Sequence, residues 1–303
     1  MYKTILVPLD GSDFAEEALP LAKALAAKIG AELHLAHVVV PEPDMDFKTP
    51  QEDLDWRGRV REGAERYLAD HAKTAEGEGI STLTAVLEGQ VTSALLDYAE
   101  EQEVDLIALT SHGSGGIQRW WLGSVADGLL QSRKADLLLV RPWDETEERS
   151  GREALFHRIL VPLDGSDLAE GALRPAVELA ERFGASLIAL RVVPKPLELT
   201  SIYGMPGVEI RGRGHQERVQ DATAYLAALA DRHSGVPVEV HVVESSGAAD
   251  GVVNSARALE ADLVVLSSRG RGGMTRVVIG SVADKVIRGT TRPVLVVHVS
   301  EEV

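Results

Sequence analysis

A nine-residue sequence occurs twice in the chain. Ile5–Asp13 reads ILVPLDGSD, and Ile159–Asp167 repeats it without a change, 154 positions later. A second matched pair is separated by 157 positions: Thr110–Asp127 reads TSHGSGGIQRWWLGSVAD, and Ser267–Asp284 reads SSRGRGGMTRVVIGSVAD. Solenoid and propeller repeats have periods of about 20–50 residues, far shorter than this one. The repeat therefore predicts duplication of a whole domain.

The length of the chain agrees with such a duplication. Its 303 residues suit two domains of about 150 residues each. The polar stretch DETEERSGRE, which lies between the two copies, is typical of a linker. We therefore predict a first domain at residues 1–143, a linker at 144–154 and a second domain at 155–303.

Short apolar runs alternate with helical periodicity in both copies. In the first copy we predict strands at 3–8, 32–39, 81–87, 105–110 and 137–141, and helices at 13–29, 52–75, 91–102 and from 124. In the second copy we predict strands at 158–162, 186–193, 238–244, 262–267 and 294–299. Gly30 is expected to end the first helix as its C-cap. This pattern predicts an α/β fold of two tandem Rossmann-like domains, each a five-stranded parallel doubly wound sheet.

Composition excludes several classes of function. A formal net charge of −16 disfavours binding to nucleic acid and to an anionic membrane surface. The chain has no Cys, so disulfides and thiolate metal sites are excluded. The apolar run at the start is too short for a signal-peptide core, and no apolar stretch reaches transmembrane length. We therefore expect a cytoplasmic protein.

The first strand of each copy ends in the same unusual sequence. Ligands of open parallel sheets bind beyond the carboxyl ends of the strands, where the winding reverses. A carboxylate there is suited to binding a ribose hydroxyl or a divalent cation, and it is equally suited to capping the helix that follows. The candidates at this position are Pro8, Asp10 and Ser12, and Pro162, Asp164 and Ser166.

The fourth strand of each copy ends in a glycine-rich loop that leads into a helix. Glycine permits close approach of a ligand to the backbone, and a helix N-terminus attracts anions. An arginine at the same place in each loop is suited to binding phosphate. The alternative is that the serines are plain N-caps, the glycines are turn residues and the arginines are solvated. The candidates are Gly113, Arg119, Gly123, Ser124 and Val125, and Gly270, Arg276, Gly280, Ser281 and Val282.

Together these segments resemble the universal stress protein family, over essentially the whole chain and in both copies. ATP-binding members carry a glycine, two residues, a glycine, nine residues, and a glycine followed by Ser or Thr. The last two glycines match Gly113 and Gly123 in the first copy, and Gly270 and Gly280 in the second. The first glycine is replaced by Thr110 and by Ser267, which add bulk where a nucleotide would pass. Their hydroxyls are also able to donate a hydrogen bond to ribose or phosphate, so both residues are candidates for nucleotide binding.

The resemblance implies a ligand and a role. It implies ATP, with or without Mg²⁺, with adenine against Val38 and Val192 and the adenosine end near Asp10 and Asp164. It also implies a regulatory, stress-response protein with at most slow ATP hydrolysis, rather than an enzyme. Signatures of related ATP pyrophosphatases and nucleotidyl transferases are missing from the sequence. Because of Thr110 and Ser267, an interaction module that binds no nucleotide is the alternative.

The same resemblance implies an assembly. Similar proteins pair through their last strands, so residues 137–141 and 294–299 are expected to pair within one chain as an intramolecular pseudo-dimer. An unpaired apolar edge would be prone to aggregation. Further assembly into a homodimer and the identity of a signalling partner are left open by the sequence.

Overall fold

The computed structural model describes residues 1–40, 49–111, 122–132, 134–141, 156–195, 198–199, 208–209, 213–268 and 279–299. The chain divides into two compact units, Met1–Leu155 and Phe156–Val303. The predicted linker at 144–154 lies outside the described residues, so the domain boundaries stay a prediction.

The first unit alternates strands and helices from its start. Its elements are β1 (Thr4–Pro8), α1 (Asp13–Glu16), α2 (Leu19–Ile29), β2 (Glu32–Val39), α3 (Pro50–Gly77), β3 (Thr82–Glu88), α4 (Val91–Glu101), β4 (Leu106–Thr110), α5 (Ser124–Ser132) and β5 (Asp136–Val140). The strands pair in the order β3-β2-β1-β4-β5, and every pairing is parallel.

The second unit repeats this arrangement. Its elements are β6 (Arg158–Pro162), α6 (Asp167–Glu170), α7 (Leu173–Phe183), β7 (Ser186–Pro194), β8 (Glu198–Leu199), β9 (Val208–Glu209), α8 (Arg213–Arg232), β10 (Val238–Ser245), α9 (Ala248–Ala258), β11 (Leu263–Ser267), α10 (Ser281–Gly289) and β12 (Val294–Val297). Its sheet has the order β10-β7-β6-β11-β12 and is parallel throughout. The predicted pair of five-stranded, doubly wound parallel sheets is thus confirmed.

Helices cover both faces of each sheet. Successive residues of a strand point to opposite faces, and in the first unit His34 contacts Tyr98 of α4 whereas His37 packs against Tyr67 of α3. In the second unit Arg191 lies over Tyr225 of α8 at 5.9 Å from the ring centroid. The central strands are therefore buried on both sides, as their continuous runs of Val, Leu and Ile require.

The predicted continuous helix at 13–29 is wrong. The chain forms two helices there, α1 and α2, and Pro20 lies in the first turn of α2. Proline has no N–H and clashes with the carbonyl four residues earlier, so the interior of a continuous helix would exclude it at a cost of about 3 kcal/mol. The C-cap at Gly30 is confirmed, with φ of 73°. A short antiparallel pair, β8 with β9, was also not predicted.

Helices α4 and α9 end in the same left-handed turn without a glycine. Glu103 and Glu260 both have φ of 49°. In the first unit the N–H of Val104 donates to the carbonyl of Ala99 at 2.8 Å, and the N–H of Glu103 donates to that of Glu100 at 3.3 Å. These two bonds form a Schellman motif, which normally places glycine at the left-handed position.

We predict that Glu103→Gly stabilises the first unit. Glycine removes the contact between Cβ and the carbonyl that disfavours left-handed backbone, so the free energy of unfolding should rise by about 1 kcal/mol. Urea denaturation measures the change. Glu101→Gly, in the right-handed last residue of α4, is the control and should lower stability by about the same amount. A loss of stability in both variants would contradict the prediction.

His298 lies directly after β12, and burial of its imidazole lowers the pKa to about 4. Its Nδ1 is 3.2 Å from Oγ of Ser268, which follows β11. In an unfolded chain histidine titrates near pH ~6.5. Between these two pKa values the unfolded state binds a proton that the folded state does not. Stability is therefore retained above the higher value and lost as the pH falls toward the lower one.

We predict that the free energy of unfolding of the second unit decreases from about pH 6.5 to about pH 4, by up to roughly 3 kcal/mol from this group alone. His298→Gln should remove that part of the slope, as measured by urea denaturation across the pH range. His157→Gln, at an exposed histidine of the same unit, is the control. An unchanged slope in the His298 variant would refute the assignment.

Candidate functional site

The winding of each sheet reverses between its first and fourth strands. β1 pairs with β2 on one side and with β4 on the other, and β6 lies in the same way between β7 and β11. The carboxyl ends of these adjacent strands are where an open α/β sheet binds its ligand. Pro8 and Pro162 close the two first strands. The structure therefore places the ends of the first and fourth strands of each unit side by side, and we call the space beyond these two strand ends the crevice.

A hydrogen-bonded turn follows β1. Oδ1 of Asp10 accepts the N–H of Ser12 at 3.0 Å and its hydroxyl at 2.5 Å. The Ser12 hydroxyl oxygen in turn accepts the N–H of Ala15 at 3.2 Å, which makes Ser12 the N-cap of α1. Gly11 has φ of 84°, a left-handed value that favours glycine.

The second unit repeats the turn. Asp164 Oδ1 accepts the Ser166 N–H at 2.9 Å and the Ser166 hydroxyl at 2.5 Å, and Ser166 caps α6 through Ala169. The aspartates do not cap the following helices themselves, which was the structural role considered for them; each instead orients the serine that is the cap. Asp10 is nevertheless exposed and Asp164 half-buried, so both carboxylates also lie at the surface of the crevice.

The fourth strands end at the two positions where the family motif has its first glycine. Thr110 is the last residue of β4 and Ser267 the last of β11. Both belong to extended backbone, which β-branched and small polar residues adopt without strain. The chain conformation therefore does not require glycine here, and relative to glycine Thr110 and Ser267 each add a hydroxyl-bearing side chain.

The glycine-rich loops are closed at their base by matched hydrogen bonds. The N–H of Gly123 donates to the carbonyl of Ser111 at 3.3 Å, and that of Gly280 to Ser268 at 2.9 Å. Between these bases, the predicted residues Gly113, Arg119, Gly270 and Arg276 lie outside the described residues.

Glycine occupies the N-cap position of α10. The carbonyl of Gly280 accepts the N–H of Asp284 at 2.9 Å, and no side chain in the described part of the chain caps this helix end. Ser281 is therefore the first helical residue, and its interpretation as a plain N-cap is wrong. In α5 the carbonyl of Gly123 likewise accepts the N–H of Asp127 at 2.9 Å.

The helix starts leave backbone donors toward the crevice. The N–H groups of the first residues of an α-helix have no intrahelical acceptor, and here these residues are Ser124 and Val125, and Ser281 and Val282. Ser124 and Ser281 are exposed, and Val282 is 43% exposed. Together with the helix dipole, such donors favour an anion by about 0.3–1 kcal/mol at an exposed site.

The predicted adenine contacts lie near the ends of the second strands. Val38 in β2 and Val192 in β7 are half-buried. A Cβ added to Gly251 of α9 would lie 2.6 Å from Cγ1 of Val192, so this helix packs directly on the valine. The two valines therefore lie on the face of the sheet that α4 covers in the first unit and α9 covers in the second.

A tyrosine of the long helix in each unit was missed by the sequence analysis. Tyr67 of α3 donates its hydroxyl to Glu16 at 3.0 Å, and Tyr225 of α8 donates to Glu170 at 2.8 Å. Burial and then the neighbouring glutamate raise the pKa of Tyr67 above its usual range, partly offset by the backbone N–H of Gly11. The same two causes raise the pKa of Tyr225.

A basic side chain of the second strand was missed as well. His37 Nδ1 lies 2.8 Å from the carbonyl oxygen of Leu9, and Arg191 Nη1 donates to the carbonyl of Leu163 at 3.1 Å. Both carbonyls directly precede the site aspartates. His37 and Arg191 are 154 positions apart, the offset of the nonapeptide, so their alignment was available from the sequence. The signal was missed because the two residue types differ.

The described residues contain neither a membrane-spanning helix nor a metal-binding cluster. No helix there is long and apolar enough to cross a membrane. Among the same residues, no group of three or more His, Cys, Asp or Glu side chains is placed to hold a metal ion.

Comparison with known proteins places this geometry in context. The model of the Universal stress protein family matches residues 1–141 and 155–298. A universal stress protein of Mycolicibacterium smegmatis is 28% identical over 304 residues, covering 97% of this chain and 96% of the relative. Universal stress protein MJ0531 of Methanocaldococcus jannaschii is 32% identical over 148 residues, covering 48% of this chain and 84% of the relative.

Solved structures agree on the fold. The crystal structure of a universal stress protein from Archaeoglobus fulgidus has a TM-score of 0.68 at 22% identity, covering 97% of this chain and 98% of that one. The family model accounts for both repeats, and the first relative extends over nearly the full length of the chain. The chain belongs to the universal stress protein family and carries two copies of its domain in tandem.

Proposed function

We propose that each half binds an adenine nucleotide, ATP with or without Mg²⁺, as a regulatory ligand in a stress response. Hydrolysis, where it occurs, would be slow. The proposal combines the motif match to ATP-binding members of the family with the geometry of the crevice between the first and fourth strands.

The observation that carries the proposal is the start of the helix after each glycine-rich loop. A glycine in place of a capping side chain leaves the first backbone N–H groups of α10 available to an external acceptor. A phosphate group is such an acceptor, and it needs no basic side chain at this place. A chain with a net charge of −16 can therefore still bind an anionic nucleotide.

The space at the N-cap of α5 supports the same assignment. A Cβ added to Gly123 would meet no atom of the described residues within 4 Å. The glycine thus leaves room beside the first turn of α5, where a phosphate would approach the N–H groups of Ser124 and Val125. In the second half, Ser281 and Val282 would hold the phosphates.

The adenosine end of the ligand would be held by the other wall. Asp10 and Asp164 lie at the surface of the crevice, and Val38 and Val192 lie near the ends of the adjacent strands. Bound Mg²⁺-ATP would supply a polyphosphate whose charge is partly neutralised by the metal. Relative to glycine, Thr110 and Ser267 leave less space between the two walls of the crevice, so we expect a modest affinity for ATP.

The described hydroxyls of the turn support a role in regulation rather than catalysis. Ser12 lies 2.5 Å from a carboxylate, as an activated nucleophile would, but its oxygen already accepts the N–H of Ala15. Ser166 has the same two contacts. Both hydroxyls therefore act as helix caps, and neither is poised to attack a phosphate.

The first prediction of this proposal is the binding of two nucleotides per chain. Equilibrium dialysis with ATP and Mg²⁺ should give dissociation constants in the micromolar to low-millimolar range, about −8 to −4 kcal/mol. Failure of ATP to bind up to millimolar concentration would contradict the proposal. If Thr110→Gly with Ser267→Gly then created binding, the chain would be an interaction module that has lost its ligand. Phosphate release faster than about one per second would make it an enzyme.

The second prediction assigns each site to its own helix. Gly123→Val should fill the space beside α5 without a clash in the protein, and should reduce the stoichiometry from two nucleotides to one. Gly280→Val should remove the other site. Gly77→Val, at the last residue of α3, where a Cβ also meets nothing within 4 Å, is the control and should leave two sites. Two sites in the Gly123 variant would show that the ligand does not lie at α5.

A further inference from the structure

In each half, side chains of the neighbouring strand and of the long helix hold the turn that contains the site aspartate. The carbonyl that directly precedes the aspartate is bonded to a basic residue of the neighbouring strand: His37 bonds Leu9, and Arg191 bonds Leu163. Each basic residue packs against the tyrosine of the long helix. The His37 and Tyr67 rings are 6.3 Å apart, and the Arg191 guanidinium lies 5.9 Å from the Tyr225 ring.

Each tyrosine also donates a hydrogen bond to a glutamate of the short helix that the serine caps. Tyr67 donates to Glu16, at the end of α1, and Tyr225 donates to Glu170, at the end of α6. Basic residue, tyrosine and glutamate thus form one contact chain beneath each turn. We call these chains the first support (His37, Tyr67, Glu16) and the second support (Arg191, Tyr225, Glu170).

The two supports differ in the residue that contacts the carbonyl. Arginine is always charged in proteins, whereas histidine is the side chain whose charge changes between about pH 5 and pH 8. The basic side chain beside the glutamate differs in the same way, since it is a histidine in the first half and an arginine in the second. Glu16 Oε1 lies 3.3 Å from Nε2 of His71, while Glu170 accepts from Arg232 at 3.2 Å.

Because a carbonyl oxygen only accepts, Nδ1 of His37 carries the proton of the 2.8 Å bond in both charge states. Protonation of the other ring nitrogen makes this a charge-assisted bond, which is shorter and stronger. It also adds a positive charge beneath the Asp10 turn, as the guanidinium of Arg191 does permanently in the second half.

Other ionisable groups lie on the elements that neighbour His37. The turn after β1 contributes an aspartate, α1 a glutamate, α3 a tyrosine, a histidine and an arginine, and β3 a glutamate that pairs with this arginine at 3.1 Å. These groups are Asp10, Glu16, Tyr67, His71, Arg61 and Glu88. Of them, His71 is the only other imidazole, so its contribution must be separated by experiment.

We propose that His37 and Arg191 are the positioning residues of the two sites, and that the first site responds to pH in the histidine range while the second does not. Protonation of His37 holds the Asp10 turn as Arg191 holds the Asp164 turn. The positive charge also favours an anionic ligand, so the first half gains affinity for ATP as the pH falls from 8 to 6. This last consequence rests on the proposed function.

The coupling itself is tested without nucleotide. The amides of Gly11 and Gly165 lie within the two turns, and ¹⁵N-glycine labelling of the full chain makes both observable by NMR. In the unmodified protein the Gly11 resonance should shift with a midpoint between about pH 5 and pH 8, and the Gly165 resonance should not. An invariant Gly11 resonance, or equal titration of both, would overturn the proposal.

Exchanging the two residues provides matched variants. His37→Arg should abolish the titration of Gly11, and Arg191→His should create one at Gly165. His71→Leu introduces the residue found at the aligned position, Leu229, and Gly11 should still titrate. Titration that persists in the His37 variant and disappears in the His71 variant would assign the effect to His71 and refute the proposal. If the His37 variant does not fold, the gain of titration at Gly165 decides.

Nucleotide affinity then tests the consequence. In chains that carry Gly280→Val, the first half should bind ATP roughly fivefold more tightly at pH 6 than at pH 8, relative to the second half in chains that carry Gly123→Val. Protonation of ATP itself affects both halves and cancels in the ratio. A ratio that is independent of pH would overturn this part. If neither half binds ATP at any pH, the proposed function fails, while the glycine titration still decides the role of His37.

Discussion

The reversal of winding between β1 and β4, and between β6 and β11, is the constraint on which each site depends. Since the two strands are parallel neighbours, their carboxyl ends lie side by side, and the loops that follow must diverge to opposite faces of the sheet. A crevice remains between them. The nonapeptide supplies one wall of the crevice and the glycine-rich segment supplies the other, which explains why these two segments match most closely between the halves.

Each wall is held by local hydrogen bonds. On one side an aspartate orients a capping serine, and on the other a glycine N–H closes the loop onto the residue that follows the strand. The polar groups described at the crevice therefore mainly stabilise the backbone of its two walls. Backbone N–H groups at the helix starts are what remains for a ligand, and this is why the proposed recognition of phosphate does not depend on a basic side chain.

Much of this architecture was predictable because the sequence contains two copies of the domain, which can be aligned with each other. Two copies of an apolar run that ends in Pro-Leu-Asp-Gly-Ser fix the first strand, and five such runs per copy fix the class of sheet. The division of the first helix was not predicted because Ala/Leu periodicity continues through Pro20, although the proline itself carries the signal. The supports beneath the turns were missed for another reason: Tyr67 and Glu16 are 51 positions apart, and only the tertiary fold brings them into contact.

The two halves share a backbone plan and differ in the groups that stabilise it. Histidine in one half replaces arginine in the other beneath the turn, and the pair formed by the buried His34 and the exposed carboxylate of Glu32 has no counterpart at Ile188 and Ser186. The two halves should therefore hold two ligand sites of one geometry. Backbone amide chemical shifts on addition of ATP and Mg²⁺ measure this most directly. We expect the amides of Ser124, Val125, Ser281 and Val282 to shift together, and shifts confined to one half, or to the opposite edge of the sheets, would rule out two equivalent sites.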